Sequence, residues 1–379
     1  MWGLTSMTIP TPRAFAPLCA VAMAALCLAV GFAAPAEAKS KKQKEPIAVV
    51  AVQPPPEPEI PVGPPILAHY VIDTAGAYAT YMRTASGIGA KFADGPSVTS
   101  ALLIGVHSEK RQLQQGVVAY AAILALQDPA FVSAVRGFAS HASTRDAMVR
   151  YILADPNYVL AIAGHETAAG LIVTTLNAQA NQLETAGEAV RKSSYSIQLK
   201  SPWSKKPAPN QAAILEQVKL LSSSGIAPAD DLKAQLTGAS DGSAALVLAG
   251  SPALGPQSQA VVRGMALAAL AVLGKAGDAD MAYVMPLLVN DGDGFCFNMS
   301  KLNLYQCLSV ARPYYEDVYC LGLHAMADTG RCVKGALEPP DADPRLAATL
   351  VTAVTPVSTA PGAASLSGAA TSPGNPIAQ

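Results

Sequence analysis

The sequence predicts an all-α protein, an irregular multi-helix bundle with a disulfide-stapled C-terminal helical hairpin. Strict alternation of apolar and polar residues is scarce between residues 66 and 337, and no two Val-rich or Ile-rich runs are joined by a tight hairpin turn. Capping residues and prolines at helix starts recur instead. Four cysteines lie at nearly symmetric spacing about Pro313 and Tyr314, which favours two helices meeting there.

Composition limits the classes of partner. The chain has 379 residues, of which 51% are hydrophobic and 14% charged, and its formal net charge is -1. This length allows one large domain or two modest ones with a substantial core. Nucleic-acid binding needs a broad basic surface, which this charge balance does not imply, so we expect no nucleic-acid partner.

The N-terminus has the pattern of a secretory signal peptide over residues 1–38. Arg13 precedes an apolar stretch from Ala14 to Ala34, and an Ala-x-Ala cleavage site follows at residues 36–38. The apolar stretch is also long enough for an uncleaved anchor, but the lysines that begin at Lys39 oppose the charge preference of an anchor. We therefore expect an exported mature chain, periplasmic or secreted, without a transmembrane span.

Two arms flank the predicted domain. Residues 39–65 are rich in Lys and Pro, favour an extended polyproline II conformation and are predicted to be a linker, either a plain spacer or a recognition arm. Residues 338–379 are rich in Ala, Thr, Ser, Pro and Gly and are predicted to be a disordered tail. The helical domain is expected to span residues 66–337.

The first half of this domain contains five predicted helical segments. They are residues 66–83, a pattern capped by Ser97 that runs to Leu126 with a break near His107, residues 129–138, a segment capped by Ser143 or Thr144 that ends at Leu153, and residues 157–191. In the last segment Leu176, Leu183 and Val190 recur every seven residues, with Ala180 and Gly187 between them. That pattern predicts a narrow apolar stripe that packs against neighbouring helices.

Residues 192–210 are predicted to be an exposed loop and a possible boundary between two halves. Helices are expected over residues 211–222, from Asp230, over residues 257–274, and from Asp278 or Asp280 to Val289. A glycine-rich and serine-rich connection is expected over residues 238–255.

The cysteine hairpin is the most specific prediction. Ser300 is expected to cap a helix over residues 301–311, and a second helix from Tyr314 is expected to end near Gly330. Nested bonds would then join Cys307 to Cys320 within the helices and Cys296 to Cys332 in the flanks, each stabilising the fold by roughly 3 to 4 kcal/mol. Pairing of neighbours, Cys296 with Cys307 and Cys320 with Cys332, is the rival.

A metal site is the alternative use of these cysteines. His324 follows Cys320 by one helical turn, and Cys307 and Cys332 would complete a ligand set. No Cys-x-x-Cys pair occurs, however, and thiols in an oxidising compartment form disulfides. We expect disulfides, with no metal and no cofactor.

His165 and Glu166 are the candidate catalytic residues. A helical His-Glu pair begins the zinc-protease motif, but Ala169 stands where the second His is required. Either side chain remains a candidate acid or base for an envelope-polymer hydrolase, and the alternative is a surface or internally bonded polar pair.

Tyrosines are the candidate binding residues. Tyr314, Tyr315 and Tyr319 cluster in the hairpin, and the spacing of the last two places them on one helical face. Amphipathic rings are enriched at binding surfaces, although tyrosines also fill cores. We expect an exported, non-catalytic scaffold or binding protein of the cell envelope, whose partner the sequence does not identify, and the hydrolase is the alternative.

Overall fold

Helices make up the regular structure in the computed structural model, which describes residues 57–248, 250–289 and 294–339. Over these ranges the chain forms thirteen α-helices and no β-strand, so the all-α prediction is confirmed. The predicted signal peptide, residues 39–56 of the predicted linker and residues 340–379 of the predicted tail lie outside the described residues.

The helices follow one another with short connections. The first six are α1 (His69–Ser86), α2 (Gly95–Val106), α3 (Lys110–Ala125), α4 (Pro129–Ala139), α5 (Ala142–Ala154) and α6 (His165–Lys200). The next four are α7 (Gln211–Ser222), α8 (Asp230–Asp241), α9 (Gln259–Val272) and α10 (Met281–Leu288). The hairpin consists of α11 (Gly294–Val310), α12 (Tyr314–Cys320), a π-helical segment (Leu321–Ala327) and α13 (Asp328–Leu337).

Side-chain caps set several helix starts. The Asp94 carboxylate accepts a hydrogen bond from the Ser97 backbone N–H at 2.8 Å, so Asp94 caps α2. The prediction that Ser97 is the capping residue was wrong. Asp128 caps α4 in the same way, and Pro129 occupies the first helical position as predicted. The predicted break near His107 is confirmed, because α2 ends at Val106.

The N-terminal arm contributes a cap from outside the helices. The Glu57 carboxylate accepts a hydrogen bond from the Ser143 backbone N–H at 3.0 Å, and the Ile60 N–H donates to the Ser140 carbonyl at 2.7 Å. Ser143 therefore does not cap α5 with its own side chain, contrary to expectation, and Thr144 also lies inside that helix. The described part of the predicted linker is bound to the domain at this point.

Two largely buried helices, α3 and α9, form the core of the bundle. α9 buries almost all of its residues, and α3 buries its last ten. The two helices pack along each other. α1 covers another side of α3, and its start is set by the chain itself, since the N–H groups of Ile66 and Ala68 donate to the carbonyls of Ala271 and Ala276. This pairing holds residues 66–68 extended, so α1 begins at His69 rather than at Ile66.

The longest helix differs from its prediction at both ends. α6 begins at His165 because residues 156–161 form a 3-10 helix and Gly164 adopts a left-handed conformation with φ of 83°. It continues to Lys200, so the prediction of a loop was wrong for residues 192–200. The hydroxyls of Ser193 and Ser194 donate to carbonyls of the preceding turn, which keeps these serines compatible with a helix. The predicted stripe is confirmed, since Leu176, Ala180, Leu183, Gly187 and Val190 are all buried.

The hairpin has the predicted nested disulfides. Cys307 pairs with Cys320 at a Cα–Cα distance of 5.7 Å, and Cys296 pairs with Cys332 at 5.5 Å. The outer pair lies inside helices, not in the flanks. α11 already includes Ser300, whose hydroxyl donates to the His324 carbonyl at 2.6 Å, so Ser300 is not its cap. The second arm runs through Gly330 to Leu337 because the π-helical segment joins α12 directly to α13.

Direct contact between backbones fixes the hairpin against α6. A Cβ atom placed at Gly187 of α6 would lie 2.5 Å from the Ala327 nitrogen and 2.6 Å from the Gly322 oxygen. A Cβ atom at Gly322 would lie 2.3 Å from the Arg191 nitrogen. Only glycine fits at these two positions, because the neighbouring atoms belong to helix backbones that cannot move aside independently.

Among the described helices, none is by itself both long enough and apolar enough to cross a bilayer. α3 and α4 meet those two criteria only as a pair, with an 84° bend between them.

We expect Gly187→Ala to lower the free energy of unfolding by about 3 kcal/mol, because its methyl group overlaps the backbone of the hairpin. Urea unfolding measured by circular dichroism checks this. The matched control is Gly335→Ala in α13, where a Cβ atom meets nothing within 4 Å. Because alanine favours a helix over glycine, the control should gain about 0.5 to 1 kcal/mol. Equal stabilities for the two variants would contradict the contact.

Candidate functional site

A groove opens where the C-terminal part of α6 meets the hairpin. Its volume is about 380 Å³. We call it the tyrosine groove after its three aromatic lining residues, Tyr195, Tyr315 and Tyr319. The remaining lining residues come from the same helices and their connection: Ser194, Gln198, Cys307, Val310, Ala311, Glu316 and Cys320. The inner disulfide therefore forms part of the groove.

Helical spacing places the tyrosines around this groove. Tyr315 and Tyr319 lie one turn apart on α12, and Tyr195 faces them from α6. The rings of Tyr195 and Tyr319 meet edge to face, with centroids 6.2 Å apart and an interplanar angle of 77°. Tyr195 remains 53% exposed. The aromatic surface is thus held by two helices while one of its rings stays open to solvent.

The polar groups of the groove are partly engaged. The Ser194 hydroxyl donates to the Arg191 carbonyl at 2.7 Å, and the Glu316 carboxylate accepts from the Arg312 N–H at 2.8 Å. Within the described part of the chain, the three tyrosine hydroxyls and the Gln198 amide have no hydrogen-bond partner. These groups are available to a ligand.

Tyr314 lies outside the tyrosine groove. Its ring occupies the space above Gly95, where a Cβ atom would lie 2.1 Å from the ring, and it meets Trp203 edge to face with centroids 6.2 Å apart. It joins α12 to α2 and to the 3-10 helix at residues 202–205. The structure therefore separates the three predicted binding tyrosines into one packing residue and two groove residues.

His165 and Glu166 lie in the first turn of α6 rather than in mid-helix. The His165 Nδ1 atom is 2.9 Å from the Ile162 carbonyl oxygen, and Glu166 is exposed. Thirty residues of helix separate His165 from Tyr195, which corresponds to roughly 45 Å along the helix axis. The candidate catalytic pair and the tyrosine groove are therefore separate places on the molecule.

The cysteine sulfurs are occupied by the two disulfides, and His324 is engaged elsewhere. Its Nδ1 atom lies 2.8 Å from the Asp328 carboxylate. Over the residues that the structure describes, no three His, Cys, Asp or Glu side chains come together to hold a metal ion. The alternative ligand set of Cys307, Cys320, His324 and Cys332 is not assembled.

Three groove residues, Ser194, Tyr195 and Gln198, were missed because they fall in the predicted loop. A sequence signal was present. The seven-residue recurrence of Leu176, Leu183 and Val190 continues at Ile197, which packs against the core. Extending that stripe by one more repeat carries the helix past Tyr195.

A buried polar cluster beneath the hairpin was not predicted at all. The Lys301 ammonium donates to the Ser108 carbonyl at 2.5 Å, and the Tyr81 hydroxyl donates to the Ala325 carbonyl at 2.9 Å. Burial lowers the pKa of Lys301 to about 8, although the charge of Glu109 acts in the opposite direction. The cavity here is only about 10 Å³, which leaves no room for a substrate.

Comparisons with known proteins give no assignment for this site. No protein-family model, curated protein or solved structure matches the chain.

We expect Lys301→Met to remove a pH dependence of stability. The folded-state pKa of about 8 lies below the unfolded value, so the unfolded state binds more protons between the two and wild-type stability rises with pH there. Urea titrations give the unfolding free energy of the variant minus that of wild type. This difference should fall by about 2 kcal/mol between pH 7 and pH 9.5. Lys91→Met, at an exposed lysine in the connection between α1 and α2, should keep the wild-type profile. Parallel profiles for wild type and Lys301→Met would contradict the burial of a charge.

Proposed function

We propose that the mature chain is an exported, non-catalytic binding protein of the cell envelope and that the tyrosine groove is its binding surface. The observation that carries the proposal is the groove itself, with its three tyrosine hydroxyls and one amide available to a ligand. Tyrosines combine a large apolar area with a polar group and are enriched where proteins bind partners.

The construction of the groove supports binding without large rearrangement. Its walls belong to α6, α11 and α12, and the Cys307–Cys320 disulfide ties α12 to α11. A surface that is already rigid loses less conformational entropy when a ligand binds. The groove is therefore preorganised.

Export is supported by the sequence pattern of residues 1–38 and by the two disulfides. Disulfides persist in oxidising compartments and are rare in the reducing cytosol. Both bonds are formed here with Cα–Cα distances in the usual range for disulfides. A periplasmic or secreted location is compatible with these features.

The absence of a catalytic role rests on the chemistry of the groove lining. Among the described residues that line the groove, Glu316 is the only ionisable one apart from the tyrosines, and its carboxylate accepts a backbone hydrogen bond. Hydrolysis of a glycosidic polymer commonly needs two carboxyl groups at a defined separation. Glu166, the candidate acid of the hydrolase alternative, lies roughly 45 Å away along α6.

We expect the double variant Tyr195→Ala, Tyr319→Ala to bind a Gram-negative envelope fraction at least fivefold more weakly than wild type, because aromatic anchors carry much of the energy of such interfaces. Co-sedimentation of the purified, oxidised mature chain with that fraction measures this. The matched control is Tyr151→Ala, Tyr158→Ala, which removes a stacked, exposed tyrosine pair whose members are 53% and 39% exposed.

The control should sediment like wild type, and all three proteins should have the same circular dichroism spectrum. Two results would overturn the proposal. One is equal sedimentation of the two double variants. The other is release of soluble sugar or peptide products from the fraction that Glu166→Gln abolishes while its fold is retained.

A further inference from the structure

We propose that the tyrosine groove binds a proline-rich segment in the polyproline II conformation that carries a basic residue. This inference rests on the proposed function, since it names the chemistry of the partner for the same surface. Grooves lined by aromatic side chains are one of the recurring ways in which proteins bind such segments, whose extended shape is already formed before binding.

The hydrogen-bonding groups of the groove match such a ligand. A polyproline II segment has no internal hydrogen bonds, and proline lacks an N–H group, so its backbone presents mainly carbonyl acceptors. Tyr195, Tyr315 and Tyr319 each offer a hydroxyl donor, and Gln198 offers an amide donor. An extended peptide that pairs as a β-strand needs a sheet edge, and the described residues contain no strand.

The charge of the groove indicates the basic residue. Glu316 is the lining residue that carries a charge, and its carboxylate is bonded to a backbone N–H rather than to a cation. Arg191, one turn before Tyr195, is paired with Glu188 at 2.6 Å. A lysine or arginine of the ligand would therefore find a carboxylate that is not already paired with a cation.

The proline-rich residues nearest to the described domain do not fill the groove. Two of residues 57–65 are held at the start of α5: the Glu57 carboxylate accepts from the Ser143 N–H, and the Ile60 N–H donates to the Ser140 carbonyl. The lining residues of the groove come from α6, α11, α12 and the connection between α11 and α12. Among the described residues, those of the N-terminal arm do not line the groove.

The test uses fluorescence anisotropy with the full mature, oxidised chain and a labelled peptide, Lys-Pro-Pro-Ala-Pro-Pro-Ala-Pro. The comparison peptide has every proline replaced by glycine. We expect saturable binding of the proline peptide and at least tenfold weaker binding of the glycine peptide, because the flexible chain must be ordered on binding.

Three variants locate the interaction. Tyr195→Ala and Tyr319→Ala should each weaken binding at least fivefold, whereas Tyr151→Ala should leave it unchanged. Tyr319→Phe keeps the ring and loses the donor, so about a threefold loss is expected. Glu316→Gln should weaken binding of the lysine peptide about threefold without affecting a peptide whose lysine is acetylated.

Two results would overturn the inference. One is equal affinity for the proline and glycine peptides, including no saturable binding of either. The other is an equal loss of binding in Tyr151→Ala and Tyr319→Ala. A tetramer of N-acetylglucosamine serves as a second probe. Its saturable binding, lost in Tyr319→Ala, together with no binding of the proline peptide would overturn the choice of partner and leave the binding function of the groove standing.

Discussion

The close approach of α6 to the second arm of the hairpin is the constraint on which the rest of the structure depends. At Gly187 and Gly322 the two backbones meet without intervening side chains. Gly322 lies in the π-helical segment of this arm, Leu321–Ala327. Such segments are short and often lie at functional sites. α6 is 36 residues long and also packs against α1, α3, α4 and α9, so this contact orients the hairpin against the core of the bundle.

The two disulfides constrain the hairpin further, in addition to the glycine contact. Cys307–Cys320 joins the two arms near their connection, and Cys296–Cys332 joins them farther along. A cross-link of either length reduces the entropy of the unfolded chain and stabilises the fold by roughly 3 to 4 kcal/mol in the loop-closure model. Their structural consequence is local: the inner bond and the C-terminal part of α6 together form the tyrosine groove. The inner disulfide therefore contributes both to the stability of the fold and to the candidate binding surface.

Much of this architecture could be predicted from the sequence. The cysteine spacing gave the correct nested pairing, and helices α7 and α8 begin where Gln211 and Asp230 were expected to begin them. The groove was missed because it needs Tyr195, which lies in a serine-rich stretch that is predicted to be a loop. Those serines satisfy their hydroxyls within the helix, a local detail that helix propensity does not report. The Lys301 cluster could not be predicted from the sequence, because Ser108 and Lys301 are far apart in the chain.

The most direct test of the account is a disulfide map of the protein isolated from the envelope fraction of its native host. Mass spectrometry of peptides from a non-reducing digest should find one linked pair containing Cys307 and Cys320 and another containing Cys296 and Cys332. Free thiols at these four positions, or a peptide that links Cys296 to Cys307, would contradict the account, because neither is compatible with the hairpin that forms the groove.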